Sequence, residues 1–326
     1  MSQMNRRDLL SLAALTAAGF ALGPIAHSFA ADEPKKKILF FTRSSGFPHP
    51  VVTRKNGELA HAERLLKEFA GQHGYDVTVT KDGTIFTPEK LADFDAIAFY
   101  TTGDLTTTAA KNPKDDQVPG MPKEGKQALL DFIASGKGFI GFHCASDTFH
   151  SPNYTSKAKE ITQQAQMIRD KDAKFEDVRD PYIKMIGGEF IVHQSQQPAT
   201  MKVVDPKFPG LEGVKDFGFT EEWYALGNFS DDLHVILVQE TDSMKVKGKT
   251  EPAYQRAPYP ATWAKPYGKG RVFYTNMGHR EDVWTNPIFQ QVTLAGLAFI
   301  TGRTNPDLTP NIQATTPEIV TFAAAK

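Results

Sequence analysis

The stretch Gly136–His150, GKGFIGFHCASDTFH, joins a short apolar run to an abruptly polar one. Lys137–Phe142 follows a glycine that marks a helix end and lacks polar alternation, which is the pattern of a strand buried on both faces of a parallel sheet. His143, Cys144, Ser146, Asp147 and His150 then fall at the strand's carboxyl end. Open α/β sheets bind their ligands there.

The flanking sequence repeats this unit. Lys35–Thr42 (KKKILFFT) is a second continuous apolar run and ends in Arg43-Ser44-Ser45-Gly46-Phe47-Pro48-His49-Pro50, a Gly/Pro-fixed loop that presents His49. Glu58–Gln72 carries Leu59, Ala62, Leu65, Leu66 and Phe69 at helical spacing and is closed by Gly71 and Gly74. Tyr75–Thr80 alternates and is β-branched, so it belongs nearer an edge. Phe94–Thr101 is a third buried strand, and Pro122–Ala134 is the helix leading into the opening stretch. This order of short apolar strands and crossover helices predicts one flavodoxin-like α/β domain, a doubly wound and mainly parallel sheet.

Beyond it, Ser151–Lys174 is polar with little periodicity and reads as a surface excursion. A short helix over Tyr182–Ile186, strands over Thr200–Val204, Phe219–Leu226 and Leu233–Gln239, and a C-terminal hairpin of Pro260–Trp263 with Gly270–Thr275 follow. A helix from Pro287 to Thr301, stopped by Gly302, closes the domain. No internal repeat or second-domain linker interrupts it.

With 326 residues and a formal charge of −1, nothing favours a nucleic acid or an anionic membrane as partner, and a small neutral substrate suits the chain. The N-terminus, Asn5-Arg6-Arg7-Asp8-Leu9-Leu10 followed by the apolar run Leu12–Ile25 and Ser28-Phe29-Ala30, looks like a twin-arginine export signal cleaved after Ala30. Residues 1–30 are thus set aside as a signal peptide and 31–326 taken as the mature domain, with its core at about 36–302 and a periplasmic or otherwise exported destination. No later segment is long and apolar enough to span a membrane. Cys144 is the single cysteine, so the chain can form no internal disulfide.

Five segments together resemble the ThuA-like family, named for trehalose utilisation: Ser45–His49, Gly141-Phe142-His143, Gly187-Gly188-Glu189-Phe190, Thr220–Tyr224 and, most specifically, Pro260–His279 (PATWAKPYGKGRVFYTNMGH). The resemblance implies a class I glutamine amidotransferase-like fold and a role in the catabolism of disaccharides or their keto forms. That superfamily carries its nucleophilic cysteine in a G-x-C-x-G elbow, and the corresponding position here is His143. Cys144 lies one residue on and would point to another side of the turn, which argues against a glutaminase and for a small packing residue.

His49, His143 and His279 each follow a strand that ends on one rim of the expected sheet. Imidazoles there can act as general bases or ligate a zinc-like divalent metal with an open position for water or a sugar oxygen, and the residue types do not separate these uses. Glu222 reads either as an acid/base or hydroxyl-binding carboxylate, with Trp223 and Tyr224 as an aromatic platform for a sugar, or as a solvated strand end with Trp223 in the core. Asp147 could orient His143 or His150, or cap a helix. His61, His150 and His193 carry weaker signals. Two functions follow from these readings: a carbohydrate-active hydrolase, lyase or isomerase, or a non-catalytic sugar-binding or accessory protein.

Overall fold

A computed structural model of the chain describes residues 34–107, 118–152, 177–245 and 251–324. The twin-arginine segment and all but the first two residues of the Ser151–Lys174 excursion lie outside them. The first half comprises strand β1 (Lys36–Phe41), helix α1 (His61–Gly71), β2 (Tyr75–Thr80), α2 (Pro88–Leu91), β3 (Ala96–Phe99), α3 (Gly125–Ala134) and β4 (Gly138–Phe142). After α4 (Pro181–Ile186) come β5 (Glu189–His193), β6 (Gln197–Val203), β7 (Phe217–Glu221), β8 (Tyr224–Gly227), β9 (Phe229–Ser230) and β10 (His234–Gln239). The chain ends with α5 (Glu251–Tyr254), β11 (Tyr259–Tyr267), β12 (Gly270–Thr275), α6 (Glu281–Trp284), α7 (Pro287–Ile300), α8 (Ile312–Thr315) and β13 (Thr321–Phe322).

Nine strands form one sheet in the order β2-β1-β3-β4-β12-β11-β10-β6-β7. The pairings from β2 to β12 are parallel and those from β12 to β7 antiparallel. The fold is therefore mixed α/β around a large sheet whose parallel half contains β1, β3 and β4 together. Ile38–Phe41 and all of β3 and β4 are buried, as continuous apolar runs require, and alternating β2 lies at the edge.

The hairpin is not an appendage. Val272–Thr275 are buried, so β12 enters the parallel sheet beside β4, in a register that pairs Thr275 with Phe142 and brings Asn276 level with His143. The stretch Phe219–Leu226, expected to be one strand, is broken: β7 pairs with β6 in the large sheet, and β8 pairs with β5 in a separate one. The chain changes sheets at Glu222-Trp223. Helix α7 starts with Pro287, capped by the Asn286 side chain on the Ile288 amide, and leads into Gly302 at φ 75°. It packs against β4 and β12, where Phe142, Trp284 and Phe289 form an aromatic layer beneath the rim. No helix among the described residues is long and apolar enough to cross a membrane.

Candidate functional site

Strand β4 ends at Phe142, and the next residue, His143, takes φ 41°, the left-handed region that a β-carbon disfavours. This turn swings a fully buried imidazole over the sheet's carboxyl edge. Its Nδ1 lies 3.1 Å from the Asn276 carbonyl, which can only accept, so the proton sits on Nδ1 and Nε2 keeps its lone pair. Nε2 faces His279 Nδ1 at 3.3 Å and Glu222 Oε2 at 3.8 Å.

The three rings of His49, His143 and His279 lie 5.2 Å apart, centroid to centroid, in every pairing. His49 comes from the loop after β1, its Nε2 3.1 Å from Tyr224 Oη and its Nδ1 buried against the Phe47 backbone with no well-formed hydrogen bond. His279 follows β12. Its backbone amide and that of Gly278 donate to Glu221 Oε1 at 2.9 and 2.8 Å, while the Glu222 amide donates to Glu221 Oε2 at 3.0 Å. Glu221 thus ties the β7 end to the His279 loop, and its neighbour Glu222 turns inward to put Oε2 3.2 Å from His279 Nδ1.

Burial pushes the pKa of His49 well down and that of His143 down to about 4, so both are neutral lone-pair donors near pH 7. Burial works against the Glu222 carboxylate, but the imidazoles of His143 and His279 beside it outweigh burial and hold its pKa well below the ordinary range. Glu221, fully enclosed, is pushed up to about 7 by burial, against the pull of the Gly278 amide.

One ligand atom from each of His49, His143, Glu222 and His279 lies within 4.8 Å of all the others. Ligands around a tetrahedral ion with bonds near 2.1 Å stand about 3.4 Å apart, so the cluster is of the size that closes on one ion. Three imidazoles and a carboxylate suit zinc or a similar divalent first-row metal.

The other sequence candidates fall differently. Trp223 is 1% and Tyr224 2% exposed, so neither offers an open face to a sugar. Trp223 Nε1 donates to the Gln197 carbonyl, and Tyr224 packs 4.0 Å from the His143 ring, supporting the cluster from below. Asp147 pairs with His150, Oδ1 to Nε2 at 2.8 Å, and no direct bond joins it to His143 among the described residues. Cys144 is buried, with burial pushing its thiol well up, which suits a packing residue and not a thiolate nucleophile. His61 reaches the Glu281 carbonyl, away from the cluster. His193, a weak signal in the sequence, comes to 3.2 Å from Glu222 Oε1 and is half exposed, on the solvent side of the site.

Glu221 and Asn276 went unrecognised in the sequence. Adjacent glutamates at a strand end resemble solvated charge, and the amides that Glu221 receives are 57 and 58 residues away. Asn276 acts on His143 through its carbonyl, which no side-chain pattern reveals.

The family model described as "ThuA: Trehalose utilisation" matches residues 37–172 and 168–300. A ThuA-like protein of Bacteroides uniformis shares the fold with TM-score 0.55 at 18% identity, over 83% of this chain and 93% of that one. One from Parabacteroides merdae does so with TM-score 0.52 at 16% identity, over 84% and 92%. No curated protein matches the chain.

Proposed function

The chain belongs to the ThuA, or trehalose utilisation, family, and from that premise we propose an exported enzyme that acts on a disaccharide or its keto derivative, with His49, His143, His279 and Glu222 holding a divalent metal. The observation that carries this reading is the convergence of three imidazoles and a carboxylate from four separate segments on one rim of the sheet. Placement of Glu222 Oε2 beside His279 and His143 favours a ligand role over hydroxyl binding.

A bound divalent ion would supply Lewis-acid polarisation of a sugar carbonyl or hydroxyl oxygen, or an activated water. The chain's own residues fix the rest. Asn276 aims His143 Nε2 inward through its carbonyl, and Glu221 fixes the backbone of the His279 loop. His193 stands on the open side within reach of Glu222 Oε1, placed to hold or move a proton on a substrate hydroxyl or on a C–H next to a carbonyl. These duties are common to hydrolysis, elimination and isomerisation of a keto sugar.

The doubly wound, glutamine amidotransferase-like form of the fold belongs to the same proposal. Its support is the left-handed turn at His143, in the elbow position where that superfamily has its nucleophile. Export rests on Arg6-Arg7 and the small residues before Ala31. The test is metal content of the purified protein, with turnover of trehalose and its 3-keto form before and after chelation. Bound metal whose removal abolishes turnover is the expected result. Undiminished turnover without metal would overturn the metal, and binding without turnover in either state would leave a sugar-binding accessory protein.

A further inference from the structure

Phe47 and Leu59 are the large apolar side chains left in solvent among the described residues, and Phe47, at 61% exposure, is the more open. It does not ride on a loose loop. The amides of Ser45 and Gly46 both donate to the Thr102 carbonyl at 2.9 Å, and Thr102 Oγ1 donates to the Phe47 carbonyl at 3.0 Å. The packing is so close that a Cβ on Gly103 would stand 2.6 Å from the Gly46 nitrogen. The phenyl ring lies edge-on to His49 at 5.4 Å. A fixed, solvent-facing aromatic ring beside the cluster is what Trp223 and Tyr224, both buried, do not provide.

A third segment is laced to the same two. The Gly103 amide donates to the Asp147 carbonyl at 2.7 Å, and the Phe149 amide to the Gly103 carbonyl at 3.2 Å. Ser44 to Thr102 and Gly103 to Thr148 pair as in a sheet, so the Phe47 and Asp147 segments stand two strand spacings apart, about 10 Å. Asp147 Oδ1 receives His150 Nε2, and His150 Nδ1 lies 3.5 Å from Glu189 Oε1. Glu189 is locked in turn by the Ser151 amide, the Ser151 hydroxyl and Asn228 Nδ2 at 2.8, 2.7 and 2.6 Å. His150 Nε2 occupies one lone pair of the Asp147 carboxylate, a group with about four lone-pair sites in all. Asp147 ends the 3-10 turn His143–Asp147 that starts at the cluster's own His143.

Resting on the carbohydrate reading above, we propose that a pyranose subsite flanks the cluster, with Phe47 as its stacking face and Asp147, held by the His150–Glu189 chain, as its hydroxyl acceptor. An aromatic face for the C–H side of a ring and a preorganised carboxylate for its hydroxyls are the two elements of neutral-sugar recognition.

The three tryptophans of the chain are buried, so Phe47→Trp adds one exposed indole as a reporter. Titration of that variant with trehalose is expected to shift its emission to the blue. By calorimetry Phe47→Ala should weaken trehalose about tenfold with an unchanged melting temperature. Asp147→Asn should weaken it about 10- to 100-fold. If Asp147→Asn does not fold, the indole signal and Phe47→Ala decide. Trehalose binding by wild type that neither variant alters, with a silent indole, overturns the subsite while leaving the sugar reading in place. A wild-type protein that binds neither trehalose nor its 3-keto form removes both the subsite and the proposed function.

Discussion

His143 is held at φ 41°, a conformation that costs a residue with a β-carbon on the order of 1 kcal/mol and glycine nothing. The neighbours that enforce it are the Tyr274 hydroxyl, donating to the His143 carbonyl at 2.7 Å, and the Asn276 carbonyl on its ring. Removing the imidazole by His143→Ala and by His143→Gly deletes the same interactions, so the pair isolates the backbone. We expect His143→Gly to be the more stable by about 1 kcal/mol in denaturant unfolding, and equal stability would show that the turn carries no strain. His150 offers a titration at the same scale. Burial lowers its pKa, but hydrogen bonds and charges of Asp147 and Glu189 outweigh it and raise the pKa to about 9. The folded value lies above the unfolded one near 6.5, so this stabilisation is fully present below about pH 6.5 and is lost as pH rises through about 9. The stability gap between wild type and His150→Gln should therefore shrink by roughly 2 kcal/mol between pH 6 and pH 10, after a discount for the ring's partial exposure. A gap that does not change with pH would show that His150 is not held as a cation.

At the scale of elements, the site depends on β12 lying against β4, because that pairing sets Asn276 beside His143 and leads the chain on to His279. Helix α7 clamps the pair from one side, and Gly296 is where it comes closest. A Cβ there would stand 2.7 and 2.9 Å from the buried Phe273 ring and 3.0 Å from Ile140 Cδ1. Two effects oppose each other in Gly296→Ala: a helix-propensity gain of about 1 kcal/mol and an overpacking cost of about 1–3 kcal/mol. Phe273 and Ile140 are wholly buried and cannot yield as a surface side chain would, so the cost wins. Thermal unfolding of Gly296→Ala should show a net loss of about 1 kcal/mol, and a stabilised variant would mean that the helix–sheet contact is looser than its geometry. The break between β7 and β8 is the other element that makes the site. Phe219–Leu226 (FTEEWYAL) contains no Gly or Pro to mark a break, and the competing partners β6 and β5, both upstream in the chain, divide it.

For the molecule as a whole, sequence and structure agree where local pattern governs. Ile38–Phe41, Ala96–Phe99 and Phe139–Phe142 are buried neighbours in one sheet, as uninterrupted apolar runs foretell, and His49, His143 and His279 meet at its rim. What stayed hidden was long-range pairing: the choice of β4 as the parallel neighbour of β12, the sheet change at Glu222, and the buried carboxylate of Glu221. Each depends on a partner tens of residues away, and periodicity within a window carries no trace of it. The same long range makes the cluster a lever on stability. His49, His143, Glu222 and His279 come from four segments spread across the fold, and these positions are brought together only in the native state. An ion that binds the assembled set and not the unfolded chain stabilises by mass action, by about 2.7 kcal/mol when free metal exceeds its dissociation constant a hundredfold. Chelation should therefore lower the melting temperature by several degrees. Restoring zinc should reverse the change. His279→Ala should abolish the response, whereas His61→Gln, whose ring contacts the Glu281 carbonyl outside the cluster, should retain it. A melting temperature indifferent to chelator and to added zinc in the wild-type protein would show that the four side chains hold no divalent ion and are an imidazole–carboxylate network of the protein alone.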